Sequence, residues 1–231
     1  MGMQTGSAVP GSQRLAGDRE WVRWGVGAAV TAMLAWVAGV ALIPLDAKLD
    51  KGGQLYVAAL MAVLGAVLLA GFFVVLTRLV PEGYPGRGLL RVSLAGCVVT
   101  QTMVAVGASF ALAGVHAAAG NAAPGLIVMG WRGLWLTFLA SAVPTILFTV
   151  TGVLGLRQAR LSPPWVSALG WVSAAAHLLV LFTLAQQGAF APDGIIAALI
   201  PLTTVVWILA LAATLPRSWQ ARAGTGVHAA G

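Results

Sequence analysis

Asp46 and Asp50 stand four residues apart and share a face if a helix carries both past Pro44. Asp193 lies at the same level, beside the last long apolar stretch. A carboxylic acid at the rim of an apolar pocket keeps its proton to higher pH and can donate it. These three are therefore the candidate catalytic acids, with His116 and Arg132 as neighbours around a pocket mouth. Lys48 and Lys51 are close by, so the same acids also fit solvated loop ends.

The deepest polar groups are Gln101, between Thr100 and Thr102, and His177. A hydrogen bond between them across two helices would contribute about 0.6–2 kcal/mol and set helix register. The alternative is a ligand-gripping or proton-transfer pair, because imidazole titrates near neutral pH. Trp36, Trp131 and Trp207 could offer ring faces to a ligand or a developing cation, or serve as packing.

Other chemistries lack their residues. Cys97 is the only cysteine, which excludes an intrachain disulfide, thiol-pair redox chemistry and a cysteine zinc site. No Asp-Asp-x-x-Asp, His-Glu-x-x-His, Gly-x-Ser-x-Gly or phosphate-binding Gly-rich loop occurs. The three histidines are scattered, so neither a metal nor a cofactor is expected.

Such residues need elements to hold them, and here the elements are apolar. Apolar residues make up 59% of the 231-residue chain and charged ones 8%, with a mean hydropathy of +0.92. That is too little charge to coat a water-facing globule, which carries roughly 25%. Six stretches near Trp24–Leu45, Gln54–Thr77, Val92–Ala113, Gly133–Leu156, Pro164–Ala185 and Gly194–Leu215 contain no charged residue. Each matches the ~20 residues that cross a bilayer as a helix, since lipid leaves the backbone only itself to bond. The expected fold is an all-α polytopic bundle of six transmembrane helices over residues 21–217, between disordered tails 1–20 and 218–231. Alternating ten-residue strands of a membrane barrel are absent.

The charges sort by side. Arg14, Arg19, Arg23, Arg78, Arg87, Arg91, Arg157, Arg160, Arg217 and Arg222 fall on one side of the six-span scheme, and Lys48, Lys51 and Arg132 on the other. This is the positive-inside pattern, with both termini cytoplasmic in the cell membrane. It accounts for the net charge of +7 as topology rather than nucleic-acid binding. The N-terminus has a long first span, a polar lead of about 20 residues and no small-x-small site, so no cleaved signal is expected. Arginine exceeds lysine eleven to two, which suggests a GC-rich bacterial genome.

Three helical hairpins follow. Residues Arg78–Arg91 and Arg157–Pro163 connect them on the arginine side. The other side has Asp46–Gly53, Gln186–Asp193 and a long loop, Gly114–Arg132, with His116, Asn121, Pro124 and Trp131. Pro144 and Pro201 each remove a donor inside a span and are expected to kink it. Trp21, Trp24, Trp165 and Trp219 fit an aromatic belt at the arginine side. No charged side chain lies at mid-membrane depth, which argues against a proton-driven or ion-coupled transporter.

Leu156-Arg157, Pro164-Trp165, Gly170-Trp171, Gly188, and Trp207 followed by Arg217 resemble a large class of bacterial six-helix membrane proteins of unknown function. The resemblance spans roughly residues 55–217, more loosely over Leu89–Ala113, and implies topology but no catalytic residue. The abundant tryptophan, few acids and apolar bundle also resemble membrane-embedded terpene cyclases. That likeness implies an acid that protonates an olefin or epoxide, and aromatic rings that steer the cation. Three functions are weighed. The first is a multi-pass protein handling a hydrophobic ligand or partner helix in the bilayer, such as an isoprenoid. The second is a metal-free terpene cyclase, and the third a small transporter.

Overall fold

The computed structural model describes residues 10–42, 52–119, 124–181 and 195–227. Among them the regular elements are all helical: α1 (Pro10–Ala41), α2 (Gly52–Arg78), α3 (Arg87–Ala119), α4 (Pro124–Ala140), α5 (Ala142–Gln158), α6 (Pro164–Val180) and α7 (Ile195–Val227). Five stretches are long and apolar enough to cross a membrane, with α4 and α5 counted as one; α6 is apolar but has 17 residues.

Each expected span overlaps a helix, and three details differ. First, span four is broken at Ser141 into α4 and α5. Pro144 has no N–H to donate to the Ala140 carbonyl, and beside it the Ser141 hydroxyl donates to the Phe138 carbonyl at 2.6 Å. The same defect at Pro201 leaves α7 helical throughout.

Second, the long loop expected at Gly114–Arg132 is mostly helix, because α3 runs to Ala119 and α4 begins at Pro124. A Cβ on Gly130 would lie 2.7 Å from the Gly114 Cα and 2.7 Å from the Phe110 carbonyl oxygen. These glycines let two helices touch backbone to backbone, as small residues do between membrane helices. Pro124 opens α4, where a proline loses no helical bond.

Third, helix reaches into both expected tails, from Pro10 and out to Val227. Trp219 is buried against the bundle. Arg222 lies over the Tyr84 ring at 4.5 Å and donates to the Leu79 carbonyl at 3.4 Å. At the other end Arg78 covers the Trp21 ring at 4.5 Å. These contacts hold both terminal helices against the connection between α2 and α3.

The helices form a closed ring. Each packs on its chain neighbour, with α4 and α5 together as one member, and α7 returns to α1. Toward the arginine-bearing helix ends the ring is filled. Phe73, Phe148 and Trp207 meet with ring centroids 5.7–6.5 Å apart, and Phe72 joins Phe73 edge-on at 5.7 Å. Each such aromatic pair adds about 0.5–1.5 kcal/mol beyond the area it buries. Leu76, Leu90, Leu156, Ile208, Leu211 and Leu215 complete this layer and are fully buried.

Candidate functional site

α1, α3 and α6 all run away from the arginine-bearing end. Trp36 follows Arg23 by 13 residues, Gln101 follows Arg87 by 14, and His177 follows Pro164 by 13. At about 1.5 Å per residue all three sit about 20 Å along their helices. They line one cavity, directly beyond the aromatic plug.

The cavity has about 570 Å³ of space unfilled by protein atoms, counting its open side. Every helix contributes to its wall: Met33 and Trp36 from α1, Leu69 from α2, Gln101 and Val104 from α3, Phe138 from α4, Thr145 and Phe148 from α5, His177 and Val180 from α6, and Pro201 and Thr204 from α7. The wall is mostly apolar, and none of its described residues is Asp, Glu, Lys or Arg. A second hollow of about 560 Å³ shares Trp36, Val104 and Phe138 with it and extends away from the arginines. Gly39, Ala58, Ala59, Ala62, Ala108 and Ala111 line that hollow, and their small side chains leave the space open.

Most polar groups on the wall are already paired. The Thr145 hydroxyl donates to the Ser141 carbonyl at 2.7 Å, and the Thr100 hydroxyl lies 3.3 Å from it. Ser173 and Thr204 join α6 to α7 through hydroxyls 2.7 Å apart. His177 Nδ1 lies 2.9 Å from the Ser173 carbonyl. A carbonyl only accepts, so Nδ1 carries the proton. In the neutral ring Nε2 is then an acceptor.

Gln101 is the exception. Its side-chain oxygen is buried and has no hydrogen-bond partner among the described residues. The expected Gln101–His177 hydrogen bond does not form: the two side chains share a cavity wall, and His177 turns to its own helix instead. An unpaired buried acceptor loses its water without compensation, at a cost of about 1–3 kcal/mol.

The other candidates lie elsewhere. Trp207 is a core residue rather than a wall residue. Its indole is seated between α5 and α6, where a Cβ on Gly152 would lie 3.2 Å from it and one on Gly170 2.8 Å from its nitrogen. His116 and Arg132 are exposed, on α3 and α4, and neither lines the cavity. Trp131 belongs to α4, but its side chain lies outside the described set, as do Asp46, Asp50 and Asp193. Among the described residues no three of His, Cys, Asp or Glu gather to hold a metal.

Sequence reasoning missed Phe138, Phe148 and Thr145 as wall residues. The signal was present: Pro144 breaks the span beside them, and Phe138 and Phe148 flank the break. Comparison with family models, curated proteins and solved structures returned no match. The geometry of the cavity is therefore the main guide to function.

Proposed function

We propose that this chain is a multi-pass cell-membrane protein that holds an apolar molecule bearing a hydrogen-bond donor in its central cavity. In this reading the six ring members are six spans, with α4 and α5 as one, and both termini are cytoplasmic. The arginines at one end support that orientation. The 17 residues of α6 measure about 25 Å, slightly less than the hydrocarbon core, a mismatch that local thinning or its flanking residues can absorb.

The observation that carries the ligand reading is the Gln101 side-chain oxygen, buried on the wall of an apolar cavity without a donor. With His177 Nε2 as a second acceptor, the polar end of the site favours a donor such as an alcohol. The remaining wall favours hydrocarbon. A linear isoprenoid alcohol fits both demands. Trp36, Phe138 and Phe148 on the wall also suit a carbocation, which supports a terpene cyclase as the second reading. Its acid would come from Asp46, Asp50 or Asp193.

Thermal unfolding of the detergent-purified protein tests the first reading. A C15 or C20 isoprenoid alcohol should raise the midpoint more than the matching hydrocarbon. Gln101→Leu should remove that difference. Equal midpoints with alcohol, hydrocarbon and no addition would refute ligand binding. Conversion of the alcohol or its epoxide to a cyclic isomer of unchanged mass would favour the cyclase, and Asp→Asn changes at the three acids would then find the donor.

A further inference from the structure

At the arginine-bearing end another concavity opens between the α2–α3 connection, the end of α5, the start of α6 and α7. Arg157, Arg160 and Arg222 line it with Tyr84, Ser162 and Ser218, around about 1570 Å³ of unfilled space including its open side. No carboxylate is among its described lining residues. The nearest acid in sequence, Glu82, is engaged by Arg87 at 3.2 Å and Arg91 at 3.7 Å.

Two observations distinguish this basin from a merely solvated cationic face. Arg222 is held in place by the Tyr84 ring and the Leu79 carbonyl. Arg160 adopts φ 53°, the one described non-glycine residue with positive φ. It occupies the turn that closes α5, where the Leu161 N–H donates back to the Leu156 carbonyl at 2.9 Å. Glycine is the usual residue at such a helix end, because it meets no penalty there. Here an arginine takes the strained position and brings a third guanidinium to the basin.

We propose that this basin binds a phosphate group, presented by the headgroup of an anionic phospholipid. Guanidinium forks match phosphate oxygens in pairs. The lipid source follows from position: Trp165, next to Pro164 and exposed, marks the membrane–water interface at the level of the basin. A basic pocket between helix ends at that level suits a headgroup. The proposal rests on the membrane-spanning reading but not on any ligand in the central cavity.

The test is thermal unfolding of the full chain in neutral detergent, titrated separately with phosphatidylglycerol, phosphatidylcholine and inorganic phosphate. Phosphatidylglycerol should raise the midpoint, more so at low salt, and phosphatidylcholine should not. R157Q/R160Q should weaken the apparent binding about tenfold, while R132Q, at the opposite end, keeps it. R160G separates charge from folding: glycine suits the backbone there, so the lipid-free midpoint should hold or rise while the lipid response falls. An equal response in wild type, R157Q/R160Q and R160G would overturn the site. A matching rise with inorganic phosphate would overturn the lipid assignment in favour of a soluble phosphate ligand. The alcohol response of the central cavity should be the same in wild type and R160G, so failure of one proposal is read apart from failure of the other.

Discussion

The two halves of the bundle are built from the same helices and packed in opposite ways. Toward the arginines, Phe72, Phe73, Phe148, Trp207 and a shell of leucines fill the ring to its axis. Beyond Phe148 the ring widens into the central cavity, with its few aromatic and polar side chains, and then into a hollow lined mainly by alanine and Gly39. The difference is one of side-chain volume along the same axis. A packed half fixes the helices, and that lets the other half stay open without collapse. Close packing and open space are thereby assigned to different depths.

Substitutions that break this contrast should rank accordingly. Trp207→Ala empties the plug and should cost about 3–5 kcal/mol, seen as a large fall in the unfolding midpoint. Gly170→Leu forces a side chain into the Trp207 indole and the Val153 side chain, and should cost about 1–3 kcal/mol. The same kind of enlargement in the hollow half should behave differently. Ala108→Leu fills space and should leave stability unchanged or raise it by about 0.5–2 kcal/mol. An equal loss from Gly170→Leu and Ala108→Leu would abolish the distinction between the halves.

The smallest effect is expected at Gln101. Its side-chain oxygen makes no bond, so Gln101→Leu should hold the midpoint or raise it by about 1 kcal/mol. A clear drop would mean that Gln101 bonds a partner across the bundle after all.

Much of this was legible in the sequence, for identifiable reasons. Trp36, Gln101 and His177 lie at matching distances from Arg23, Arg87 and Pro164, so their common depth could be read directly. Their common cavity could not, because facing depends on helix rotation, which a uniformly apolar helix does not reveal. Gly114 and Gly130 fall within the expected loop, yet they are points where α3 and α4 touch. Glycine gives the same signal for a turn and for a close helix crossing. Depth alone left Trp207 open to a cavity or a packing role; the glycines that seat it in the core come from two other helices. Asp46, Asp50 and Asp193 remain candidate acids on sequence grounds and lie outside the described residues.

The most direct measurement is photolabelling with a diazirine-bearing linear isoprenoid alcohol, followed by mass mapping of the modified peptides. The expected result is adducts on Trp36, Phe138, Gln101 and His177, competed away by unlabelled alcohol and lost when Ala142→Phe closes the cavity. Adducts confined to residues exposed on the outside of the bundle, such as Val98, Leu136, Leu178 and Leu179, indifferent to competitor, would contradict a ligand site inside the ring.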